Sequence, residues 1–302
     1  MVVLSISKID SDWVVDLNDA LLVSGLKGAL FLEALPRDEW PSQIFYYKLL
    51  GEDEAAHTRL LDVLGGGATE VEPRNFQTPK NFDLIFAVGW QYLVHDFVNL
   101  VVLHDSLLPR YRGFAPTVSA LIKGETSLGV TALKASGEVD SGQILSQCSI
   151  EITYPLRVLQ AFELLAPCYV RCFKEVTQNL KNSNLIGLNQ ESSRATYSIW
   201  RDESDLQINW KQSAEEIIRF VHACGFPYIG AQSFLNSKKI IIYDAEENKD
   251  IRFELLSTGK VWRVIADNCA EITCGSGVVK IFARWSDSNN PIVFRNLRSR
   301  LS

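Results

Sequence analysis

The segment at residues 101–147 constrains the fold of this chain more than any other part of the sequence. An apolar run at residues 100–103 ends directly on His104, and a glycine-bounded turn at residues 137–142 carries Asp140. Strands that carry polar side chains at their C-terminal ends are typical of open α/β sheets, which bind ligands at that edge. We therefore expect His104 and Asp140 to meet at one edge of a sheet.

Three ordered motifs surround these two positions. The first is HDSLLPRYRG, which begins at His104; the second is GVT at residues 129–131; the third is GEVDSGQILSQ at residues 137–147. Together they resemble the formyltransferases that use 10-formyltetrahydrofolate, a family that includes methionyl-tRNA formyltransferase and the sugar-nucleotide N-formyltransferases. The resemblance is dense over residues 82–150, weakens before residue 80 and returns in residues 195–302.

The length of 302 residues predicts two domains. The resemblance implies an α/β fold with a Rossmann-like, doubly wound catalytic domain at residues 1–185 and a smaller, mostly β domain similar to an OB-fold at residues 195–302. A polar segment at residues 181–194 is interpreted as the linker. The short apolar runs after residue 230, divided by Gly, Asn and Asp, are themselves typical of a small antiparallel barrel.

Local patterns predict the individual elements of the first domain. Residues 2–6 are expected to form the first strand, residues 12–24 a helix and residues 28–32 a second buried strand. No glycine fingerprint follows the predicted first strand, which disfavours NAD binding. A proline at position 167 is expected to kink or split a long helix.

The resemblance implies a catalytic set of an asparagine, a histidine two residues later, and an aspartate. His104 and Asp140 match this set, whereas Val102 occupies the asparagine position. Asn99 cannot simply replace it, because residues five apart on a strand lie on opposite faces. Three explanations stay open: an irregular loop around Asn99, another group that does the work, or impaired activity.

Formyl transfer needs a group that accepts the proton of the attacking amine and a group that stabilises the tetrahedral oxyanion. His104 can accept the proton or, once protonated, face the oxyanion, and an ionised Asp140 can fix the imidazole tautomer. Valine donates no hydrogen bond, and losing one oxyanion donor typically costs ~10²–10³ in rate. We therefore expect Val102→Asn to raise formyl transfer, or at least not to lower it, with some loss of thermal stability.

The resemblance also implies the residues that contact the co-substrate, 10-formyltetrahydrofolate. In the family, the loop that follows the central strand touches the pterin ring, although Trp90 fits a core aromatic equally well. The predicted substrate contacts are Ser106, Arg110 and Lys8. Lys8 could contact a substrate phosphate, but a lone surface lysine more often has no specific role. The predicted folate contacts are Trp90, Gln91, Tyr92, Leu93, Glu138, Val139 and Asp140.

The distribution of charge indicates which class of molecule accepts the formyl group. The net charge is −6, residues 35–56 are acidic, and residues 195–302 are nearly balanced. Binding of tRNA needs several phosphate contacts from Lys and Arg, and the resemblance implies a basic insertion near residues 35–56 in the tRNA-modifying members. We therefore expect a small amine acceptor, an amino-sugar nucleotide, and no nucleic-acid partner. Methionyl-tRNA, an amino-acid-derived amine such as a siderophore precursor, and a non-catalytic role in binding folate or a nucleotide sugar are the alternatives.

Cysteine usage and hydropathy suggest a cytoplasmic protein. The six cysteines show no dense spacing, which is typical of reduced thiols. Cys168 and Cys172 stand one turn apart without a further ligand at metal spacing, so no metal is expected. No apolar run reaches the ~18 residues of a membrane span, and the first residues lack the features of a signal peptide, so no membrane partner is expected. The sequence leaves a homodimer open.

Overall fold

A computed structural model describes residues 17–48, 54–77, 80–94, 99–182, 185–294 and 297–302. Within these ranges the chain builds two main sheets, each of which packs its own apolar core. The predicted strand at residues 2–6, the first residues of the predicted helix at 12–24, and Lys8 lie outside the described residues.

The first sheet and its helices come from the first 181 residues. Apart from the two-residue strands, these elements contribute apolar residues to one or both of two buried clusters. In chain order the elements are β1 (Asp19–Ser24), α1 (Gly25–Ala34), β2 (Gln43–Tyr47), α2 (Glu54–Leu64), β3 (Thr69–Glu70), β4 (Leu84–Val88), β5 (Leu100–His104), β6 (Arg112–Gly113), α3 (Pro116–Lys123), β7 (Ser127–Lys134), β8 (Ile144–Glu151) and α4 (Val158–Lys181).

Seven of these strands form one sheet in the order β3-β2-β1-β4-β5-β7-β8. The five strands from β3 to β5 pair in parallel, and β7 and β8 continue the sheet antiparallel. The chain runs outwards from β1 to β3 and then returns to the other side of β1 with β4. The strand order therefore reverses between β1 and β4, and open α/β sheets bind their ligands at such a switch point, beyond the C-terminal strand ends. The predicted doubly wound, Rossmann-like fold is confirmed.

The first described elements differ from the sequence prediction. Residues 19–24 form β1 rather than the end of a helix, and residues 28–32 lie in α1 rather than in a strand. The reason is the burial of α1, in which seven of the ten residues are buried. A helix that is apolar on nearly all sides loses the periodicity that distinguishes it from a buried strand. The turn from β1 into α1 therefore lies at the switch point, where Ser24 and Lys27 line the cavity edge.

Helix α4 is continuous over 24 residues, and Pro167 lies inside it without splitting it. Its apolar face is buried on both sides of the proline, and this face includes Phe162, Leu165, Tyr169 and Cys172. A proline removes one backbone hydrogen bond of a helix, and burial of this face against the sheet and α1 outweighs that loss. The proline itself is exposed, so its ring meets solvent.

The remaining residues form the smaller, mostly β domain that the sequence predicts. Its main sheet is antiparallel, with five strands in the order β10-β11-β14-β13-β12. Of the apolar runs after residue 230 from which strands are predicted, the run at residues 251–256 forms no strand and is irregular. The elements are β9 (Tyr197–Ser198), α5 (Ala214–Ala223), β10 (Ala231–Leu235), β11 (Lys238–Glu247), β12 (Val261–Ala266), β13 (Cys269–Thr273) and β14 (Val278–Trp285).

The last residues of the chain join the two edges of this sheet. Phe234 of β10 exchanges backbone hydrogen bonds of 2.8 and 3.1 Å with Ser302. On the other edge, Leu301 N–H donates to Gly259 O at 2.7 Å, and Val261 N–H donates to Ser299 O at 3.0 Å. The sheet is thereby closed through the C-terminal segment, which satisfies the backbone groups of both edge strands.

The two domains contact each other around the functional edge of the large sheet. Helix α5 packs against α3, and Ile122 of α3 contacts both apolar cores. Strand β9 pairs in parallel with β6, which places residues 197–198 beside Arg112 and Gly113. Within the described ranges, no helix combines the length and apolar character that a membrane crossing requires.

Candidate active site

A cavity of about 380 Å³ lies beyond the C-terminal ends of the parallel strands. Ser24 at the end of β1, Gly89 after β4 and His104 at the end of β5 all line it, which places it at the switch point of the sheet. Its volume lies within the usual range for small-molecule pockets. Tyr228, which precedes the sheet of the smaller domain, completes one wall.

His104 and Asp140 meet in the wall of this cavity, as the sequence predicts. Asp140 Oδ2 lies 3.5 Å from His104 Nδ1 and accepts a hydrogen bond of 2.8 Å from Gly113 N–H. His104 Nε2 lies 2.8 Å from the backbone oxygen of Tyr111. Both side chains are largely buried, with 7% and 14% of their surfaces exposed.

The partners of the imidazole define which nitrogen can act as a base. The oxygen of Tyr111 can only accept, so the Nε2 position of His104 carries the hydrogen of the neutral ring. The lone pair of Nδ1 then faces the Asp140 side. A proton that reaches Nδ1 faces the Asp140 carboxylate oxygen 3.5 Å away.

The backbone around Asp140 is held by a side chain from the segment that joins the two domains. Gln190 Nε2 donates to the backbone oxygens of Asp140 at 2.8 Å and Gly142 at 2.7 Å. Gln190 Oε1 in turn accepts hydrogen bonds of 3.1 and 2.8 Å from the guanidinium of Arg112. This contact positions Asp140, whose φ of 50° is unusual for a residue other than glycine. Gln190 is not predicted from the sequence, because no local pattern links position 190 to the turn at residue 140.

Val102 lies where the sequence predicts, on the same face of β5 as His104 and in the cavity wall. Its neighbours on the adjoining strands are Ala87 and Leu133, so no hydrogen-bond donor replaces the missing amide from either side. Asn99 is exposed and directly precedes β5, and it is not among the residues that line the cavity, although its neighbour Leu100 is. The structure therefore gives no support to the explanation of the missing asparagine that relies on Asn99.

The predicted folate contacts all line the same cavity. The loop at residues 89–94 forms one wall, and residues 138–140 form part of another. The loop is anchored on Tyr47, whose hydroxyl accepts a 3.2 Å hydrogen bond from Gln91 N–H. The Tyr47 ring also meets Trp90 edge-on, with 4.8 Å between centroids, and Tyr92, with 5.3 Å. Trp90 is thus both a packed aromatic and part of the cavity wall.

One polar atom in this wall is suited to a ligand. The indole Nε1–H of Trp90 is buried and has no acceptor among the described residues. An unpaired buried donor is unfavourable, so a polar ring edge that accepts from it would gain binding energy. The cavity otherwise offers an apolar floor of Ala87, Leu100 and Leu133. A flat heterocycle with a polar edge, such as a pterin, fits this combination.

Two of the predicted substrate contacts are not brought to the cavity. Ser106 Oγ donates to the backbone oxygen of Arg110 at 2.7 Å and stabilises the turn that follows β5. The guanidinium of Arg110 forms an ion pair with Glu125, which also accepts a hydrogen bond of 2.6 Å from Tyr111 Oη. Burial and this hydrogen bond to Glu125 raise the pKa of Tyr111 to about 12. These residues shape the loop that carries the backbone partner of His104. The third predicted contact, Lys8, lies outside the described residues.

A buried ion pair that the sequence analysis missed lies beside His104. Lys27 Nζ, in the first turn of α1, is 2.8 Å from both carboxylate oxygens of Asp105. Thr117 also donates to this carboxylate, and both members of the pair line the cavity. Burial alone would raise the pKa of Asp105, but the charges of Lys27 and His104 and the hydrogen bonds lower it to about 2. The same carboxylate, together with burial, raises the pKa of Tyr169.

A signal for this pair is present in the sequence. Lys27 interrupts an apolar run at residues 20–32, and Asp105 directly follows an apolar strand. A charge inside a buried run needs a counter-charge, and two such positions of opposite sign predict a pair. For metal binding the described part of the chain offers no cluster of three or more His, Cys, Asp or Glu side chains.

Two family models match this chain. The model of the formyl transferase family matches residues 78–158, and the model of the formyl transferase C-terminal domain matches residues 202–289. A curated relative, methionyl-tRNA formyltransferase from Treponema denticola, is 32% identical over 186 residues. That match covers 59% of this chain and 56% of the length of the Treponema enzyme.

Solved structures share the fold over most of this chain. HypX from Aquifex aeolicus in complex with tetrahydrofolic acid has a TM-score of 0.61 at 18% identity, and the match covers 90% of this chain and 44% of HypX. The N-formyltransferase from Helicobacter canadensis in complex with folinic acid and dTDP-3-aminofucose has a TM-score of 0.59 at 16% identity, with coverage of 88% and 99%. The two family models account for more than half of the chain, and most of the residues that line the cavity fall within the first of them. The chain belongs to the formyl transferase family.

Proposed function

We propose that the protein is an N-formyltransferase that moves a formyl group from 10-formyltetrahydrofolate to the amine of an amino-sugar nucleotide. One observation carries the proposal. His104, Asp140 and every predicted folate contact line a single cavity at the switch point of the large sheet. These residues come from segments about fifty positions apart in the sequence, so their convergence reflects the fold rather than local proximity.

In this proposal His104 is the general base. Nδ1 takes the proton of the attacking amine while Nε2–H remains bound to the oxygen of Tyr111. Asp140 stabilises the resulting imidazolium, and Gly113 N–H holds the carboxylate in place. The separation of 3.5 Å between Asp140 and His104 is longer than a strong hydrogen bond, and such contacts commonly tighten when substrate binds.

The surface beside the cavity suits a nucleotide. Phe114 lines the cavity and donates its backbone N–H to Ser198 O at 3.1 Å, so residues 197–200 run beside the cavity. Along this segment, 68% of Tyr197 and 64% of Trp200 are exposed. Exposed aromatic rings bind nucleobases by stacking. Stacking on this segment would leave the sugar amine free to extend towards His104.

The choice of acceptor rests on charge as well as shape. Lys27 is the only Lys or Arg among the described residues that line the cavity, and it is paired with Asp105. The relative from Treponema denticola is described as acting on methionyl-tRNA, which keeps a tRNA acceptor as the second candidate. The net charge of −6 favours the smaller acceptor, because tRNA binding requires many phosphate contacts.

A panel of amino-sugar nucleotides tests the proposal directly. The enzyme is incubated with 10-formyltetrahydrofolate labelled in the formyl group and with each acceptor in turn, and the label in the sugar nucleotide is measured. We expect one acceptor to receive the label with saturation kinetics, whereas its N-acetylated counterpart receives none because its nitrogen is not nucleophilic. Transfer to methionyl-tRNA but to no sugar nucleotide would assign the second candidate. Tight folate binding without any transfer would instead indicate the non-catalytic role.

A further inference from the structure

The Lys27–Asp105 pair is a charged feature of the cavity that the roles of His104 and Asp140 do not use. Only 16% of the Lys27 side chain and 8% of the Asp105 side chain are exposed. The Lys27 ammonium also lies 5.0 Å from the centroid of the Phe162 ring. Thr117 and Tyr169 adjoin the carboxylate from two further helices. The pair is therefore fixed in position by contacts with α1, α3 and α4.

A buried ion pair is weak evidence for stability, because an apolar pair of similar volume is often as stable. Stability alone therefore does not account for a lysine and an aspartate at the inner end of a ligand cavity. The position of the pair in the cavity says more about its role than its burial does. Asp105 follows His104 in sequence, and Lys27 lies across the end of β4 from it. The ammonium therefore lies at the same strand ends as the base.

Because the asparagine amide is missing, another group in the cavity has to donate a hydrogen bond to the oxyanion. Val102 and its strand neighbours Ala87 and Leu133 offer no side-chain donor. The ammonium of Lys27 has three N–H donors, and the two oxygens of Asp105 occupy at most two of them. At least one N–H thus remains for an acceptor in the cavity. A positive charge in a site that excludes water interacts strongly with a developing negative charge.

We propose that Lys27 Nζ stabilises the oxyanion of formyl transfer in place of the amide that Val102 lacks, and that Asp105 is the positioning residue that holds Lys27 there. The attacking nitrogen forms a bond to the formyl carbon, and the carbonyl electron pair moves to oxygen, which faces Lys27. The amine proton passes to His104. The oxyanion then collapses, the bond from carbon to the folate nitrogen breaks, and that nitrogen takes the proton. The inference rests on the proposed formyl transfer.

The first test is Lys27→Met, which keeps the length of the side chain and removes its charge. We expect kcat to fall by ~10²–10³, the usual effect of losing one oxyanion donor, while KM for the folate stays within about threefold of wild type, because ground-state binding does not use the charge. Lys123→Met is the matched control, since Lys123 is exposed at the end of α3 and does not line the cavity. Wild-type kcat in Lys27→Met would overturn the inference.

A second pair of variants separates catalysis from charge compensation. Lys27→Met/Asp105→Asn removes both charges, so no uncompensated carboxylate remains. If Lys27 only neutralised Asp105, this double variant would recover wild-type kcat, and that result would overturn the inference. We expect it to stay as slow as Lys27→Met. Lys27→Met/Val102→Asn restores an amide donor at position 102, and we expect it to be at least tenfold faster than Lys27→Met. In the wild-type background Val102→Asn should change kcat much less, because the donor is already present.

Hydrolysis of 10-formyltetrahydrofolate in the absence of an amine provides a readout that does not depend on the acceptor. Water then attacks the same formyl carbon, and absorbance follows the release of tetrahydrofolate. If wild type hydrolyses the folate and Lys27→Met does not, the inference holds even where the proposed sugar acceptor is wrong. If wild type shows neither transfer nor hydrolysis, the proposed function fails and the inference fails with it. Hydrolysis that is equal in both proteins would overturn the inference alone.

Discussion

At the scale of single residues, the environment of His104 assigns different tasks to its two ring nitrogens. Nε2 is held by a backbone oxygen, whereas Nδ1 faces a carboxylate that is itself oriented by Gly113 N–H. A histidine in this setting gains a proton at one defined position. Its effect on catalysis can therefore be tested by removing the base or its carboxylate separately.

His104→Ala and Asp140→Ala should each lower turnover by about a hundredfold or more, the scale of a lost general base. Neither side chain belongs to an apolar core, so both variants should fold, and a thermal melt checks this. His57→Ala is the matched control, because His57 lies on α2 and does not line the cavity. Turnover close to wild type in either cavity variant would remove that residue from the mechanism.

The Lys27–Asp105 pair predicts a defined pH dependence of stability. The folded pKa of Asp105 is about 2, below the ~3.9 of an unfolded aspartate. Between these values the unfolded state binds more protons, so stability falls as pH falls. The shift corresponds to ~2.6 kcal/mol of stability at neutral pH, which is lost progressively between about pH 5 and pH 1. Urea unfolding of wild type and of Lys27→Met/Asp105→Asn at pH 5, 4 and 3 measures the difference, which should shrink as pH falls. A constant difference would contradict the assignment.

At the scale of elements, the sequence predicts the functional strands better than the first ones. Strand β5 and the turn at residue 140 are correctly predicted, because β-branched runs and glycine-bounded turns are local signals. The predicted helix at residues 19–24 and the predicted strand at residues 28–32 are both wrong, since α1 is buried on nearly all sides and shows no helical periodicity. Because of this error, the sequence does not predict the contact between Lys27 and Asp105. That contact follows only when β1 and α1 are assigned correctly. Gln190 depends on a contact across about fifty residues, and no periodicity encodes such a contact.

The closure of the smaller sheet by the C-terminal segment can be tested with two glycines. Gly259 and Gly66 have similar left-handed φ angles of 76° and 81°, so alanine costs about 1 kcal/mol at either from backbone strain. A Cβ on Gly259 would lie 2.3 Å from Leu301 O, whereas a Cβ on Gly66 would meet nothing within 4 Å. We expect Gly259→Ala to lower the melting temperature by clearly more than Gly66→Ala. Equal shifts of the melting temperature would mean that the C-terminal segment contributes little to the stability of the smaller domain.

At the scale of the whole molecule, contacts between the domains frame the cavity. Arg157, at the start of α4, forms hydrogen bonds of 2.7 and 2.8 Å with Asp244 of β11, which also contacts His222 of α5 at 3.0 Å. These contacts join the second domain to the helix layer of the first. Tyr228 is thereby brought to the cavity wall, so the smaller domain contributes to the site as well as to the surface beside it.

The charge of the whole molecule determines how strongly it can bind tRNA. A protein that neutralises several phosphates releases their counterions, so its affinity falls steeply with salt. This chain has a net charge of −6 and an acidic segment at residues 35–56. Many of the arginines that the structure describes are already engaged: Arg59, Arg110, Arg157, Arg171 and Arg263 each pair with a carboxylate.

We therefore expect no tight binding of initiator tRNA at physiological salt. Filter binding or fluorescence anisotropy from about 50 to 200 mM salt measures this, with a tRNA-binding formyltransferase as the positive control. Over that range a protein that makes six to ten phosphate contacts loses ~10³–10⁵ in affinity. Weak binding with a shallow salt dependence is the expected result, because the net charge of −6 opposes binding to a polyanion. Submicromolar binding that weakens steeply with salt would contradict it and would make methionyl-tRNA the acceptor to test first in formyl transfer.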